Sequence, residues 1–115
     1  MGKFSRDKGA RGERAFCSLC REHGWNATRT AQHSGKTGGM ADVIGLPGIH
    51  VEVKNVERLN VREALEQAIR DADKESTASE VKMPIVAHKK NNAPWLVTML
   101  ADDWFELYRE WEAGK

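Results

Sequence analysis

The chain has 115 residues, 30% of them Asp, Glu, Lys or Arg, and a formal net charge of +1. Such a length supports a single domain, residues 1–115, which buries roughly two thirds of its unfolded surface. With no apolar run near the ~20 residues of a membrane span, no signal peptide and only two cysteines, a membrane protein and a secreted disulfide scaffold are both excluded as expectations. The charge is unevenly placed: residues 1–40 hold eight Lys/Arg against three Asp/Glu, and residues 41–115 ten against fourteen. A basic first third beside an acidic remainder suits a polyanion bound along one side, with clustered carboxylates elsewhere for a metal.

Residues 1–7 read as a loose basic start. From Lys8 to His23 the pattern predicts a helix capped by Gly24. Its inward stripe is Phe16, Cys17, Leu19 and Cys20, and Glu13 lies on that stripe. A carboxylate on a core face needs a reason. It bonds a backbone group or Arg29, or it leans over a sheet as a metal ligand. Arg11 and Arg14 flank it and are placed to hold phosphates. The C-x2-C pair lacks the second pair of ligands a zinc site needs, so Cys17 and Cys20 read as reduced, buried thiols of a cytoplasmic protein.

Trp25–Thr30 has strand composition. Residues 31–40, AQHSGKTGGM, form a polar, glycine-rich loop able to present backbone N–H groups and Lys36 to phosphates. It is not the phosphate loop of a nucleotide hydrolase: the glycine that Gly35-Lys36-Thr37 would require at position 30 is Thr30, and no helix follows.

Residues 42–54 organise the rest. Two short apolar runs meet at Pro47-Gly48. In the second run Ile49, Val51 and Val53 alternate with His50, Glu52 and Lys54, giving a strand with a core face and a chemical face. Asp42 opens the first run. Two carboxylates and an ammonium gathered on a half-buried sheet call for a hard divalent cation, and a cation held by Asp42 and Glu52, with Lys54 beside it, suits phosphodiester hydrolysis. Taken alone the pattern is weak, because E-x-K on a strand is commonly a solvated edge pair. It also carries a register demand. A simple two-residue turn at Pro47-Gly48 would send Asp42 to the wrong face; placing it opposite Glu52 requires an odd loop centred on Pro47 or a bulge near Gly45.

Asn60 is expected to cap a helix from Val61 to about Thr77, with the stripe Val61, Ala64, Leu65, Ala68, Ile69 and Ala72. Its length is that of a crossover, so the next strand should return parallel. Gln67 borders the stripe and is within reach of the site. Strands follow at Met83–Lys89 and Trp95–Leu100, joined through Asn91-Asn92, with Lys89 and Lys90 offering further phosphate contacts. Asp102 or Asp103 is expected to cap a last helix whose stripe, Trp104, Leu107, Tyr108 and Trp111, reads as core or as a dimer surface rather than a base-stacking platform.

Taken together, Glu13 on the first helix, Asp42, Glu52-x-Lys54 and the order α-β-β-β-α-β-β-α resemble the PD-(D/E)xK nuclease superfamily over nearly the whole chain. The helix-one glutamate and the Ser34-Gly35 loop before the aspartate are similar to the archaeal-type Holliday junction resolvases and their phage relatives, with the small VRR-NUC nucleases as the competing family. Residue 41 is Ala where the superfamily's name has Pro. The resemblance implies a restriction-endonuclease-like α/β core with a mixed five-stranded sheet. It implies Mg²⁺ or Mn²⁺ held by Asp42, Glu52, Val53 and Glu13. It further implies Glu13, Asp42, Glu52, Lys54 and Gln67 as the catalytic set, with Arg11, Arg14, Arg29, Ser34, Lys36 and Lys89 on DNA. The expected substrate is branched DNA, a four-way junction first and a flap second, cut by a homodimer in the cytoplasm of a bacterial or phage-infected cell. A non-catalytic module that binds DNA by shape is the reading from another class. It would need neither metal nor carboxylates.

Overall fold

The structure, a computed structural model, describes residues 3–30 and 40–115. Ser34 and Lys36, expected on DNA, lie outside the described residues.

Helix α1, Lys3–Glu22, begins before the position its apolar pattern marks, since no proline interrupts the basic start and Lys3–Asp7 simply continue the helix. It ends as expected, at Gly24 with φ of +91°. Strands β1 (Thr28–Arg29), β2 (Val43–Ile44) and β3 (Ile49–Asn55) follow, then α2 (Val61–Glu75), β4 (Met83–Lys89), β5 (Leu96–Thr98) and α3 (Ala101–Ala113). The five strands form one sheet in the order β1-β2-β3-β4-β5. Only β3 and β4, joined through α2, run parallel; the other pairs are antiparallel. The mixed sheet between helices is the expected α/β architecture.

The hairpin meets the register demand. Val43 pairs with Val51, which brings Asp42 level with Glu52. It does so through an extra residue near Gly45 rather than an odd loop: Ile49 N–H donates to Leu46 O at 3.0 Å, closing a simple two-residue turn at Pro47-Gly48, and Gly48 has φ of +82°. Proline second and a left-handed glycine third make a type II turn. Gly45, with φ of +113°, is needed for a different reason, because a Cβ there would lie 2.6 Å from Asn26 O and 2.7 Å from Ala27 Cα.

β3 is central and both of its faces are covered. Val51 and Val53 join Ile85 and Ala87 of β4 under α1, whose Phe16, Cys17 and Cys20 are buried there with Val43 and Ala27. The opposite face carries Val86 under Ala64 and Ala68 of α2. Alanines at the buried positions let α2 approach closely; Asn60 caps it by accepting from Glu63 N–H at 3.0 Å. The face of β3 read as chemical is therefore not open: His50 is fully buried and Glu52 only 5% exposed.

In α3 the expected aspartate cap fails, and of the two readings of its stripe, core or dimer surface, the first fails. Its N-cap is Leu100 with no side-chain bond, and Asp102 and Asp103 fall inside the first turn, where their carboxylates still meet the positive end of the helix. Its apolar stripe is not core, for α3 buries none of its residues.

Candidate active site

The site forms where the hairpin leaves the edge of β3 uncovered. β2 ends at Val43–Ile44, and Asp42, just before it, turns its carboxylate to the β3 backbone: Val53 N–H donates to Asp42 Oδ2 at 2.8 Å. A side chain thus satisfies an amide that a longer β2 would have taken. The result is a depression of about 390 Å³ lined by Asp42, Glu52, Val53, Lys54 and Asn55 of the hairpin, Lys8, Gly9 and Glu13 of α1, and Gln67 of α2. Glu13, Asp42, Glu52, Lys54 and Gln67, far apart in sequence, all reach it.

Glu13 gets there because α1 crosses β3 at close range. Gly12 is buried against Asn55, where a Cβ would stand 2.6 Å from Asn55 Cβ. Arg29 Nε donates to Glu13 Oε1 at 2.9 Å, with the two side chains 32% and 13% exposed. Glu13 is thus paired with Arg29, the structural reading of its place on the core stripe, and it also borders the depression. The oxygen donors suit a hard divalent cation. Asn55, which lines the same depression, adds a buried acceptor, Oδ1, with no hydrogen-bond partner.

Beneath Glu52 lies a group the sequence reading did not find. His50 Nε2 is 3.1 Å from Glu52 Oε1, and its Nδ1 is 2.8 Å from Glu75 Oε1 at the end of α2. Asp71 stands with them: one ligand atom each of His50, Glu52 and Asp71 lie within 4.8 Å of one another. Burial opposes a charge on His50, but the hydrogen bonds to Glu52 and then Glu75 prevail and raise its pKa above the ordinary value. The only hint in the sequence was a histidine beside Glu52 on the chemical face of β3; Asp71 and Glu75 come from a helix more than twenty residues later.

The basic residues expected on DNA take two positions. Arg14 and Arg29 line a second depression with Arg21, Cys17 and Ser18, of about 350 Å³. Arg21, not singled out in the sequence, thus completes a basic flank on α1 and β1. Arg11 is exposed on the same helix. Lys89 lies apart at the end of β4, its Nζ 6.0 Å from the centroid of the Trp95 ring, in a hollow it shares with Lys90.

A mixed sheet between helices, with an acid-x-lysine strand and an aspartate from the neighbouring strand, defines a PD-(D/E)xK-type nuclease core. The model of the archaeal Holliday junction resolvase (Hjc) family matches residues 4–103. The chain belongs to that family, and on that ground is a structure-specific nuclease. Among solved structures it is similar to Archaeoglobus fulgidus Hjc, a Holliday junction resolvase from an archaeal hyperthermophile: 22% identity, TM-score 0.57, over 78% of this chain and 75% of that one. At that identity the likeness speaks for the fold. No curated protein matches. Among the described residues no helix is long and apolar enough to cross a membrane.

Proposed function

We propose that this chain is a divalent-metal-dependent endodeoxyribonuclease that cuts four-way DNA junctions as a homodimer, and that the depression around Asp42 and Glu52 is its active centre. The observation that carries this reading is the convergence of Glu13, Asp42, Glu52, Lys54 and Gln67, from α1, the hairpin and α2, on one depression. A non-catalytic DNA-binding module would have no use for three carboxylates, which repel phosphates unless a cation compensates them.

Asp42 and Glu52 would hold the ion, Mg²⁺ or Mn²⁺, with Glu13 at the border. Bound there, the cation would acidify water and neutralise charge on the scissile phosphate. The protein supplies the remainder. Lys54 brings an ammonium to the same wall as the carboxylates, where it can stabilise charge building on phosphate oxygens. Gln67 contributes an amide able to orient water or a phosphate oxygen. Arg29 fixes Glu13 through a bond at 2.9 Å, while Arg14 and Arg21 extend the positive flank along which a phosphate backbone can lie.

The test is incubation of labelled four-way junction, flap and plain duplex with the purified protein, in Mg²⁺ or EDTA, beside Asp42→Asn. Paired, metal-dependent nicks confined to the junction and absent in the variant are expected. Cutting of the flap or duplex alone would keep the nuclease and remove the resolvase. Tight binding in EDTA with no cutting of any substrate in Mg²⁺ or Mn²⁺ would leave only a binding module.

A further inference from the structure

We propose that His50, anchored by Glu75 on α2, is a positioning residue that holds the Glu52 carboxylate in the orientation the site requires. The inference rests on the reading of Asp42 and Glu52 as cation ligands and deepens it.

His50 points into the α2 side of the sheet and is 0% exposed. A buried aliphatic side chain at this position would fill space without desolvating a polar ring. Instead the ring joins two carboxylates, Glu52 Oε1 at 3.1 Å and Glu75 Oε1 at 2.8 Å. The side chains of Glu52 and Glu75 are 6% and 27% exposed, so the chain of bonds runs from the surface end of α2 inward to the wall of the site. Glutamate has three torsions, and a ligand free to turn must be ordered each time it binds. Tying one oxygen to a ring that is itself tied to α2 removes that freedom in advance, which is how outer partners orient the ligands of a metal. Asp71, 9% exposed, closes the group from the same helix. Because both ring nitrogens face carboxylate oxygens, the group is completed by its own hydrogen bonds and does not depend on an ion of its own.

The experiment measures Mn²⁺ affinity of the full chain by calorimetry without DNA, well below each variant's melting temperature, together with the Mn²⁺ dependence of junction cutting. Wild type should bind Mn²⁺ at a site that Asp42→Asn removes. His50→Leu should weaken that binding by about tenfold or more, within the range of about 10–100-fold common for outer partners. His50→Gln, which keeps a donor near the place of Nε2, should recover much of the loss, and Glu75→Ala should show a smaller loss of the same kind. A folded His50→Leu with wild-type Mn²⁺ affinity would overturn the positioning role and leave the nuclease reading standing. If His50→Leu does not fold, Glu75→Ala decides on the same readout, and unchanged affinity overturns the role. Loss of a second equivalent of Mn²⁺ in His50→Leu would make the group a cation site and overturn it too. If wild type binds no Mn²⁺, or Asp42→Asn binds it equally well, the underlying reading fails first and the positioning role with it.

Discussion

Asp42 has two tasks, and they can be separated. Its Oδ2 accepts from Val53 N–H at 2.8 Å, holding the hairpin edge together, and its charge is the one proposed to hold the cation. Asparagine keeps an acceptor for the amide but lacks the charge. Asp42→Asn should therefore stay folded and lose more than about a hundredfold in cutting rate, because outer partners of a metal alone are worth about 10–100-fold; melting curves and a single-turnover assay check the two halves. Glycines allow a similar separation. Gly48 has positive φ in open space, with no heavy atom within 4 Å of the point a Cβ would occupy, whereas Gly45 has positive φ and backbone atoms at 2.6 and 2.7 Å from that point. Gly48→Ala should cost about 1–2 kcal/mol, the penalty of a left-handed residue. Gly45→Ala should cost more, since the clash is with main chain that cannot turn aside. Denaturant unfolding of the two variants compares them, and equal losses would mean that the hairpin shifts freely against Asn26–Ala27.

The elements differ in how readily the sequence disclosed them. β4 and the start of α2 stand at their expected residues, because each is written locally: a run of Met83–Lys89 between turn signals, and Asn60 before an apolar stripe. The Asn91-Asn92 turn was legible for the same reason, Asn92 taking φ of +60°. The hairpin gave its register only when chemistry was asked of it: the requirement that Asp42 meet Glu52 called for an odd loop or a bulge near Gly45, and the second is found, a simple turn at Pro47-Gly48 with Val43 still paired to Val51. β1 is much shorter than the stretch with strand composition, Thr28–Arg29 against Trp25–Thr30, because strand length depends on the neighbour it pairs with, and β2 is equally short. The His50 group was illegible because Asp71 and Glu75 meet β3 only after α2 has packed. A test at this scale concerns His88 on β4. Its Nε2 shares a 2.8 Å hydrogen bond with the Thr98 hydroxyl of β5, Lys54 stands across from it on β3, and burial lowers its pKa. The folded chain therefore resists a proton that the unfolded chain accepts near pH 6.5. Above that pH both states are neutral and the group adds no slope; as pH falls below it, stability is lost until the folded pKa is passed. Unfolding free energies of wild type and His88→Gln at neutral and mildly acidic pH should converge as pH falls, because only wild type carries this acid penalty.

At the scale of the whole molecule, α3 presents an exposed apolar stripe. Trp104, Phe105, Leu107, Tyr108 and Trp111 are 42–58% exposed, and the helix buries none of its residues. A helix of 13 residues is marginal in water without packing, the threshold being about 12–15 residues even for good helix formers. Trp104, Tyr108 and Trp111 lie along one line, with ring centroids 5.3 and 5.6 Å apart. Asp102, Asp103, Glu106, Glu110 and Glu112 flank them, so the face repels a phosphate backbone as strongly as it invites an apolar surface. The proposed homodimer would place a second copy of the stripe here, with the carboxylates left at a solvated rim. Packed about a two-fold axis it would bury the stripe and give an assembly with two active centres, as two cuts in a two-fold junction demand. Leu107→Glu sets a charge in the middle of the stripe without touching the depression at Asp42. It should convert a dimer to a monomer in analytical ultracentrifugation, lower the melting temperature, and leave Mn²⁺ affinity at its wild-type value while paired nicks in a junction become single ones. A wild-type chain that sediments as a monomer at micromolar concentration would remove α3 as a self-interface and leave its aromatic face to a different protein.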